Sequence, residues 1–400
     1  MTLLKDIIHK TGLMTVITVM ALLHVTVQLS AQELYYPERW KQPLRNVLPL
    51  YHQDTVTIRF IGDVMMHSKQ LENAHRGAST YDFSTYFSHI GKDLKTADIA
   101  VANMEFALSG EPYSGYPSFS APDALAEHMA ELGIDIFLAA NNHIYDRGLS
   151  GAERTLEQYR RLAAQYGTSF VGLASDEGEK EGNMPLILNI KGVKLAFLNF
   201  TYATNGGRRE GWPKVCYMDE RKDIRNAIET ARKAKADMII ALPHWGEEYR
   251  LTHSAEQEEM AQWLTDHGVN IIIGTHPHVV QDSAVLSSRL DGAETQVIYS
   301  LGNAISNMSA TNTQLELMAS VRIVRHCNGD LELLPVELDF LWCSRPGGFD
   351  EGYTVLPIKE YIGRRSLWTN PSDYDNMMNS FRRVAEATGI NTTDIKYINE

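Results

Sequence analysis

Seven short runs of apolar, largely β-branched residues constrain this chain most: 56–61, 99–102, 134–140, 195–200, 238–242, 271–273 and 297–300. Several have no polar face at all. A strand that is apolar on both sides must be covered on both sides, which is the condition of strands in α/β sheets. Helical patterns at 122–132, 150–166, 219–235 and 254–267 lie between the runs. Pro122 before Asp123, and Ser254 with Gln257 three residues on, are helix-start signals. The alternation predicts one α/β domain over 55–345. Residues 346–400 open on Pro346-Gly347-Gly348 and are expected to form a peripheral C-terminal segment with one helix near 372–387.

The first 31 residues read as a secretory signal rather than as fold. Lys5 and Lys10 precede an apolar run from Leu13 to Leu23, and Ser30-Ala31 offers a small-residue cleavage point. The alternative is an uncleaved N-terminal membrane anchor, against which His24 and Gln28 interrupt the span. Either way the expected location is extracytoplasmic, periplasmic or secreted. Residues 32–54, with Pro37, Pro43 and Pro49, form an irregular lead-in. Three cysteines, Cys216, Cys327 and Cys343, make no metal spacing and no disulfide framework; Cys327 and Cys343 either pair across neighbouring strands or remain buried thiols. The formal charge is −13, from 37 basic against 50 acidic side chains. That balance excludes general nucleic-acid binding, which needs a cationic footprint. Anionic ligands stay accessible if a bound cation supplies local positive charge.

The polar residues that end the apolar runs carry the chemistry. Asp63 follows the first run and Glu105 the second; Asn141, Asn142 and His143 follow the third; His244 follows the fifth, and His276 and His278 the sixth. Ligand sites of α/β sheets gather at strand carboxyl ends. Each residue alone has a bland explanation as a turn or a satisfied loop group. Together, two carboxylates, an Asn and several imidazoles are the donor set of a two-metal, oxygen-rich site. Other histidines, His52, His75, His89 and His326 among them, show no such placement. His276-Pro277-His278 is expected to point both rings one way from extended backbone.

That set predicts divalent metal ions, two of them, with manganese, iron, zinc, magnesium and calcium all compatible. Glu105 is the natural bridging carboxylate. Two cations would make hydroxide available near neutral pH and clamp a substrate oxyanion. His143 reads as catalytic, with Asp146 three residues on to orient it as a proton donor; the alternative for Asp146 is a helix N-cap. Arg147 is a candidate for steadying a substrate anion. Trp212, Trp245 and the aromatic stretch from Tyr113 to Phe119 are candidates for a substrate groove.

These segments, in this order, resemble the CapA family, the poly-γ-glutamate capsule biosynthesis proteins of the calcineurin-like metallophosphatase superfamily. The matching stretches are Gly62-Asp63-Val64-Met65, Asn103-Met104-Glu105, Phe119-Ser120-Ala121-Pro122 and the run from Asn141 to Gly148. They continue with His244-Trp245-Gly246-Glu247-Glu248-Tyr249, the run from Gly274 to Gln281, and Tyr299-Ser300-Leu301-Gly302-Asn303. The resemblance implies a four-layer α/β/β/α metallophosphatase-like sandwich with the site above the strand ends. It implies Asp63 and His278 on one metal, Glu105 bridging, and Asn142, His244 and His276 on the second, with His143 as proton donor. Asn141, Arg147, Trp245 and Asn303 are the expected substrate-binding residues.

Departures surround the pocket. The superfamily's His two residues after the first Asp is Met65 here, with His67 two further along as a substitute metal ligand. His67 and Ser68 stand where the family has a small residue and Arg, Phe106 where it has Thr or Ser, and Ala304 where it has an aromatic.

Two functions follow. One is an extracytoplasmic metal-dependent hydrolase of capsule or poly-γ-glutamate-type polymer biosynthesis, acting on a phosphoester or an amide with metal-bound hydroxide. The other is a non-catalytic polymer-binding assembly or export factor with a degenerate metal site, for which Arg208-Arg209 is a candidate basic patch. Metal-assisted proton abstraction from a peptide α-carbon uses the same groups. The expected partners are an acidic polymer or phosphoester substrate, with a capsule ligase and membrane partners implied by the resemblance.

Overall fold

The structure is a computed structural model and describes residues 54–390. The leader, the cleavage point and the lead-in up to residue 53 lie outside the described residues. Strands β1 (Asp54–Val64), β2 (Ile99–Met104), β3 (Ile136–Leu138) and β4 (Ser169–Val171) run parallel, side by side in that order. A second sheet follows from β5 (Leu186–Ile190), β6 (Val193–Thr201), β7 (Met238–His244), β8 (Ile271–Ile273), β9 (Ser283–Ser287) and β10 (Glu294–Ile298). Its order is β9-β10-β8-β7-β6-β5, parallel through the middle with antiparallel edges. The chain then returns to the first sheet. There β11 (Leu315–Arg325) pairs antiparallel with β1, β12 (Leu331–Leu333) and β13 (Glu337–Ser344) pair with β11, and β14 (Thr354–Pro357) pairs with β13.

The apolar runs explain this layering residue by residue. Ile271 and Ile273 of β8 face the core between the sheets, while Ile272 faces outward to helices. Val56, Ile58 and Phe60 of β1 meet Leu195, Phe197 and Ile240 of the second sheet in that same core. The outer face of the first sheet is covered by α1 (Asp123–Glu131) and α2 (Gly148–Tyr166), through residues such as Leu125, Met129, Leu156 and Tyr159. The outer face of the second is covered by α3 (Arg221–Lys233) and α4 (Ala255–Asp266), through Ile224, Ile228, Met260 and Leu264. The result is the expected α/β/β/α sandwich. Ser254 caps α4 with the reciprocal Gln257 bond that the sequence signalled.

One expectation is corrected. The C-terminal segment is not peripheral: β14 extends the first sheet, and α5 (Pro371–Thr388) buries Met377, Phe381 and Val384 completely in the inter-sheet core. The contacts place the described residues, 54–390, in one compact unit. The Pro-Gly-Gly signal marks a turn between elements, not a boundary. Cys216 and Cys343 are buried as expected, whereas Cys327 lies at the surface. No helix among the described residues is long and apolar enough to cross a membrane.

Phe381 packs edge-on to Phe340 of β13, with centroids 4.9 Å apart. Phe381→Ala should therefore cost about 3–5 kcal/mol in urea unfolding. A loss below about 1 kcal/mol would mean that the helix is an appendage after all.

Candidate metal centre

The carboxyl ends of β1, β2 and β7 and the loops after β3 and β8 converge on one point. β1 bulges between Ile61 and Asp63, so that Asp63 pairs in register with Asn103 of β2. Gly62 is required there: a Cβ would meet the Gly302 carbonyl oxygen at 1.9 Å. Asp63 is fully buried, and its Oδ1 accepts a 2.7 Å bond from Asn103 Nδ2 while its Oδ2 accepts from the His276 backbone N–H at 3.1 Å. Glu105, directly after β2, is also fully buried, and neither carboxylate oxygen has a hydrogen-bond partner. Instead Oε1 faces three imidazoles: His278 Nε2 at 3.7 Å, His244 Nε2 at 3.8 Å and His143 Nε2 at 3.9 Å.

Burial, then the neighbouring Asp63, pushes the Glu105 carboxyl well above the usual carboxylate range. Burial also holds His244 and His276 well below the usual imidazole range, so both are neutral and able to donate lone pairs. The second-sheet loops are zipped together to place them. The Trp245 backbone N–H donates to Thr275 O and that of Tyr249 to Pro277 O, at 3.0 and 2.8 Å. His276 and His278 have φ of 98° and 58°, so their rings converge (centroids 5.7 Å apart) through left-handed backbone, not through the extended strand the sequence suggested.

Two three-donor groups result, each with its ligand atoms within 4.8 Å of one another: Asp63, Glu105 and His278, and Glu105, His244 and His276. Asn142 Oδ1 lies 2.9 Å from His244 Nε2, beside the second group. Ligand atoms on one octahedral ion are about 3 Å apart when cis and about 4 Å when trans, so separations of this order suit a shared divalent cation. The orphaned oxygens of Glu105 and the orphaned Nδ1 of His276 fit the same reading, since buried polar atoms otherwise find partners.

His143 stands beside the two groups. Its Nδ1 is 2.7 Å from Asp146 Oδ2, which also accepts the Phe119 backbone N–H at 2.8 Å. Asp146 is thus not a helix cap; α2 begins at Gly148 behind Arg147, with no side-chain cap. With Nδ1 held between Asp146 Oδ2 and Asn205 Nδ2 (3.2 Å), the ring turns Nε2 to the centre, 3.9 Å from Glu105 Oε1. Phe119 packs edge-on against the ring, centroids 4.6 Å apart.

Several expected roles do not survive the geometry. Trp245 is fully buried under α4, and its indole N–H donates to Tyr299 O, so it is no groove wall. Asn141 is buried with its amide bonded to Met104 O and its oxygen to His143 N–H, which makes it a brace for the loop. Asn303 is buried beneath His278, its Oδ1 2.9 Å from His278 Nδ1, where it sets the imidazole orientation. Arg147, by contrast, is half-buried and spends only one of its five N–H donors on Pro112 O, which leaves the anion-contact expectation untouched. His67 belongs to neither three-donor group. It heads the short helix Ser68–Ala74, and its Nδ1 lies 3.1 Å from Gln70 Oε1. Arg208 pairs with Asp219 and lies over the Tyr217 ring, which leaves the exposed Arg209 as the remaining member of that candidate patch.

Sequence reasoning missed Asn103 and Glu316, both polar interruptions of apolar strands. Glu316 is fully buried on β11 and accepts the Gly62 N–H at 2.8 Å, which braces the β1 bulge. It also gave no role to two exposed tyrosines, Tyr202 over His276 (4.4 Å) and Tyr249 near His278 (6.3 Å); Tyr116, inside the aromatic stretch the sequence singled out, is exposed beside Phe119 (6.4 Å).

Burial lowers the His67 pKa to about 4. Between that value and the unfolded value near 6.5 the unfolded chain holds the extra proton, so acid favours unfolding. In chelator, the stability of the wild type relative to H67Q should therefore fall by at most about 1.4 kcal/mol per pH unit as pH drops from roughly 6.5 to 5. Urea titrations at each pH read this directly; a difference constant with pH would contradict it.

A family model described as "Bacterial capsule synthesis protein PGA_cap" matches residues 57–308. The capsule biosynthesis protein CapA of Bacillus anthracis is 26% identical over 363 residues, covering 87% of this chain and 84% of that protein. The PGA biosynthesis protein CapA of Bacillus subtilis (strain 168) is 24% identical over 301 residues, covering 72% and 73%. Among solved structures, the NAD nucleotidase NadN of Haemophilus influenzae has a TM-score of 0.47 at 12% identity, covering 87% of this chain and 66% of that one. A 5'-nucleotidase precursor from Thermus thermophilus gives 0.43 at 14% identity, covering 84% and 59%. The chain spans less than two thirds of either solved chain.

Proposed function

This chain belongs to the bacterial capsule synthesis protein PGA_cap family, and from that premise we propose that it is an extracytoplasmic, divalent-metal-dependent hydrolase of capsule polymer biosynthesis, cleaving a phosphoester or an amide. The observation that carries this reading is Glu105. A carboxylate buried without one hydrogen bond, inside a ring of imidazoles, is costly in any role other than cation binding.

Asp63, Glu105 and His278 would hold one cation, and Asn142, Glu105, His244 and His276 the other. Divalent ions bound there supply Lewis acidity toward a substrate oxyanion and lower the pKa of water. The chain's own groups do the rest. Asp146 holds the His143 ring and stabilises its protonated form, so that Nε2 can deliver a proton to the leaving group. Asn303 and Thr275 fix the rings of His278 and His244 through their Nδ1 atoms, at 2.9 and 3.0 Å. Phe119 packs on the His143 ring and Tyr202 on the His276 ring. The acidic balance of the chain, a formal charge of −13, disfavours a polyanion, so an acidic polymer fits as substrate only with cations in place. The secretory pattern before residue 32 supports the extracytoplasmic placement, and a capsule ligase and membrane partners complete the proposed setting.

The test is turnover of two phosphodiesters that share one phosphoryl centre but differ in leaving group. With manganese, H143A should lose about 10²–10⁴-fold in kcat on an alkyl ester, whose leaving group needs a proton, and much less on a nitrophenyl ester. E105Q should lose both activities. Equal losses in H143A on both esters would remove the proton-donor role. No turnover by the wild type on either ester, or on a γ-glutamyl amide, would favour a polymer-binding assembly factor instead.

A further inference from the structure

Glu248 was given no role by the motif reading, yet it sits at the mouth of the centre. A carboxylate oxygen of Glu248 and one ring nitrogen each of His276 and His278 lie within 4.8 Å of one another, a third donor group beside the two already described. The two histidines are buried, whereas Glu248 is exposed. His276 belongs to the donor set with His244, and His278 to the set with Asp63, so Glu248 offers an oxygen within 4.8 Å of one member of each. Glu105, their shared carboxylate, approaches from the floor; Glu248 approaches from solvent.

Its position is built. The Tyr249 backbone N–H bonds to Pro277 O at 2.8 Å, which fastens the Glu248 backbone beside the turn that carries both histidines. Among the described residues no cationic side chain pairs with Glu248, while its neighbour Glu247 is paired with Arg250 at 2.9 Å. His276 Nδ1 is buried without a partner, as expected of a ring committed to a cation. The donor count is also uneven. The Asp63 side offers three protein ligands, Asp63, Glu105 and His278, against four on the Asn142 side, and hard cations take about six or more.

We infer that Glu248 is an outer carboxylate ligand of this centre, reaching across the mouth opposite Glu105 to complete the coordination of the cation held by Asp63 and His278. This rests on the two-cation reading of the site.

The experiment is manganese binding by the metal-free full-length protein, followed by the loss of the aqueous Mn²⁺ electron paramagnetic resonance signal. E248Q should weaken the weaker of the bound ions by roughly tenfold or more, with an unchanged circular dichroism spectrum, and E248D should recover part of the affinity. E247Q removes the same charge one residue away and should bind as the wild type does. Wild-type binding by E248Q, or equal weakening by E247Q, would overturn the inference, the latter because it would reveal a general field effect. E105Q separates the two levels. If it loses manganese while E248Q does not, only the Glu248 assignment falls; if E105Q also binds normally, the centre itself falls.

Discussion

Glu105 is a charge-bearing group buried completely among imidazole rings, with both oxygens unsatisfied. Without a cation its stable form is the protonated one, and even then its hydrogen-bonding capacity is unused. Much of the surrounding architecture serves to keep it there. Asn103 restrains Asp63, Thr275 restrains His244 and Asn303 restrains His278, each through one hydrogen bond. These partners fix the donor atoms before any ion arrives, so that binding costs little reorganisation.

The sandwich supplies that rigidity because its two sheets end at the same place. Parallel strands from both bring Asp63, Glu105 and His244 to one edge, and the core between the sheets lies directly beneath. Close backbone approaches finish the geometry. The Gly302 carbonyl packs against Gly62, and the Tyr299 carbonyl sits where a Cβ on Gly274 would fall, at 2.1 Å. A side chain at either position would push apart the loops that carry the ligands. The C-terminal helix acts at longer range, sealing the inter-sheet core on which the strand ends rest.

The layers and the donor set were legible in the sequence because both depend on local pattern. Doubly apolar strands announce a covered sheet, and polar residues placed after them announce the edge where loops meet. What stayed hidden depends on long-range packing. That α5 belongs to the core depends on Phe340 and Trp342, far away in sequence. Trp245 and Asn141 read as pocket residues because they neighbour ligands in sequence, and Asn303 because it ends a family motif, but their polar atoms are spent on backbone and ligand partners. The His276–His278 pair converges for a reason that spacing did not contain, since both residues adopt positive φ. Glu248 was the subtlest omission: an exposed glutamate in a charged loop carries no local signal until the loop is seen folded against Pro277.

Whether Glu105 joins two cations decides everything built on this site. Anomalous diffraction at the manganese edge from crystals of the manganese-loaded protein tests it directly. Two peaks about 3.5–4 Å apart on either side of the Glu105 carboxylate, one toward Asp63 and His278 and the other toward Asn142, His244 and His276, are the predicted result. Density with no anomalous peak within bonding distance of Glu105 would contradict it.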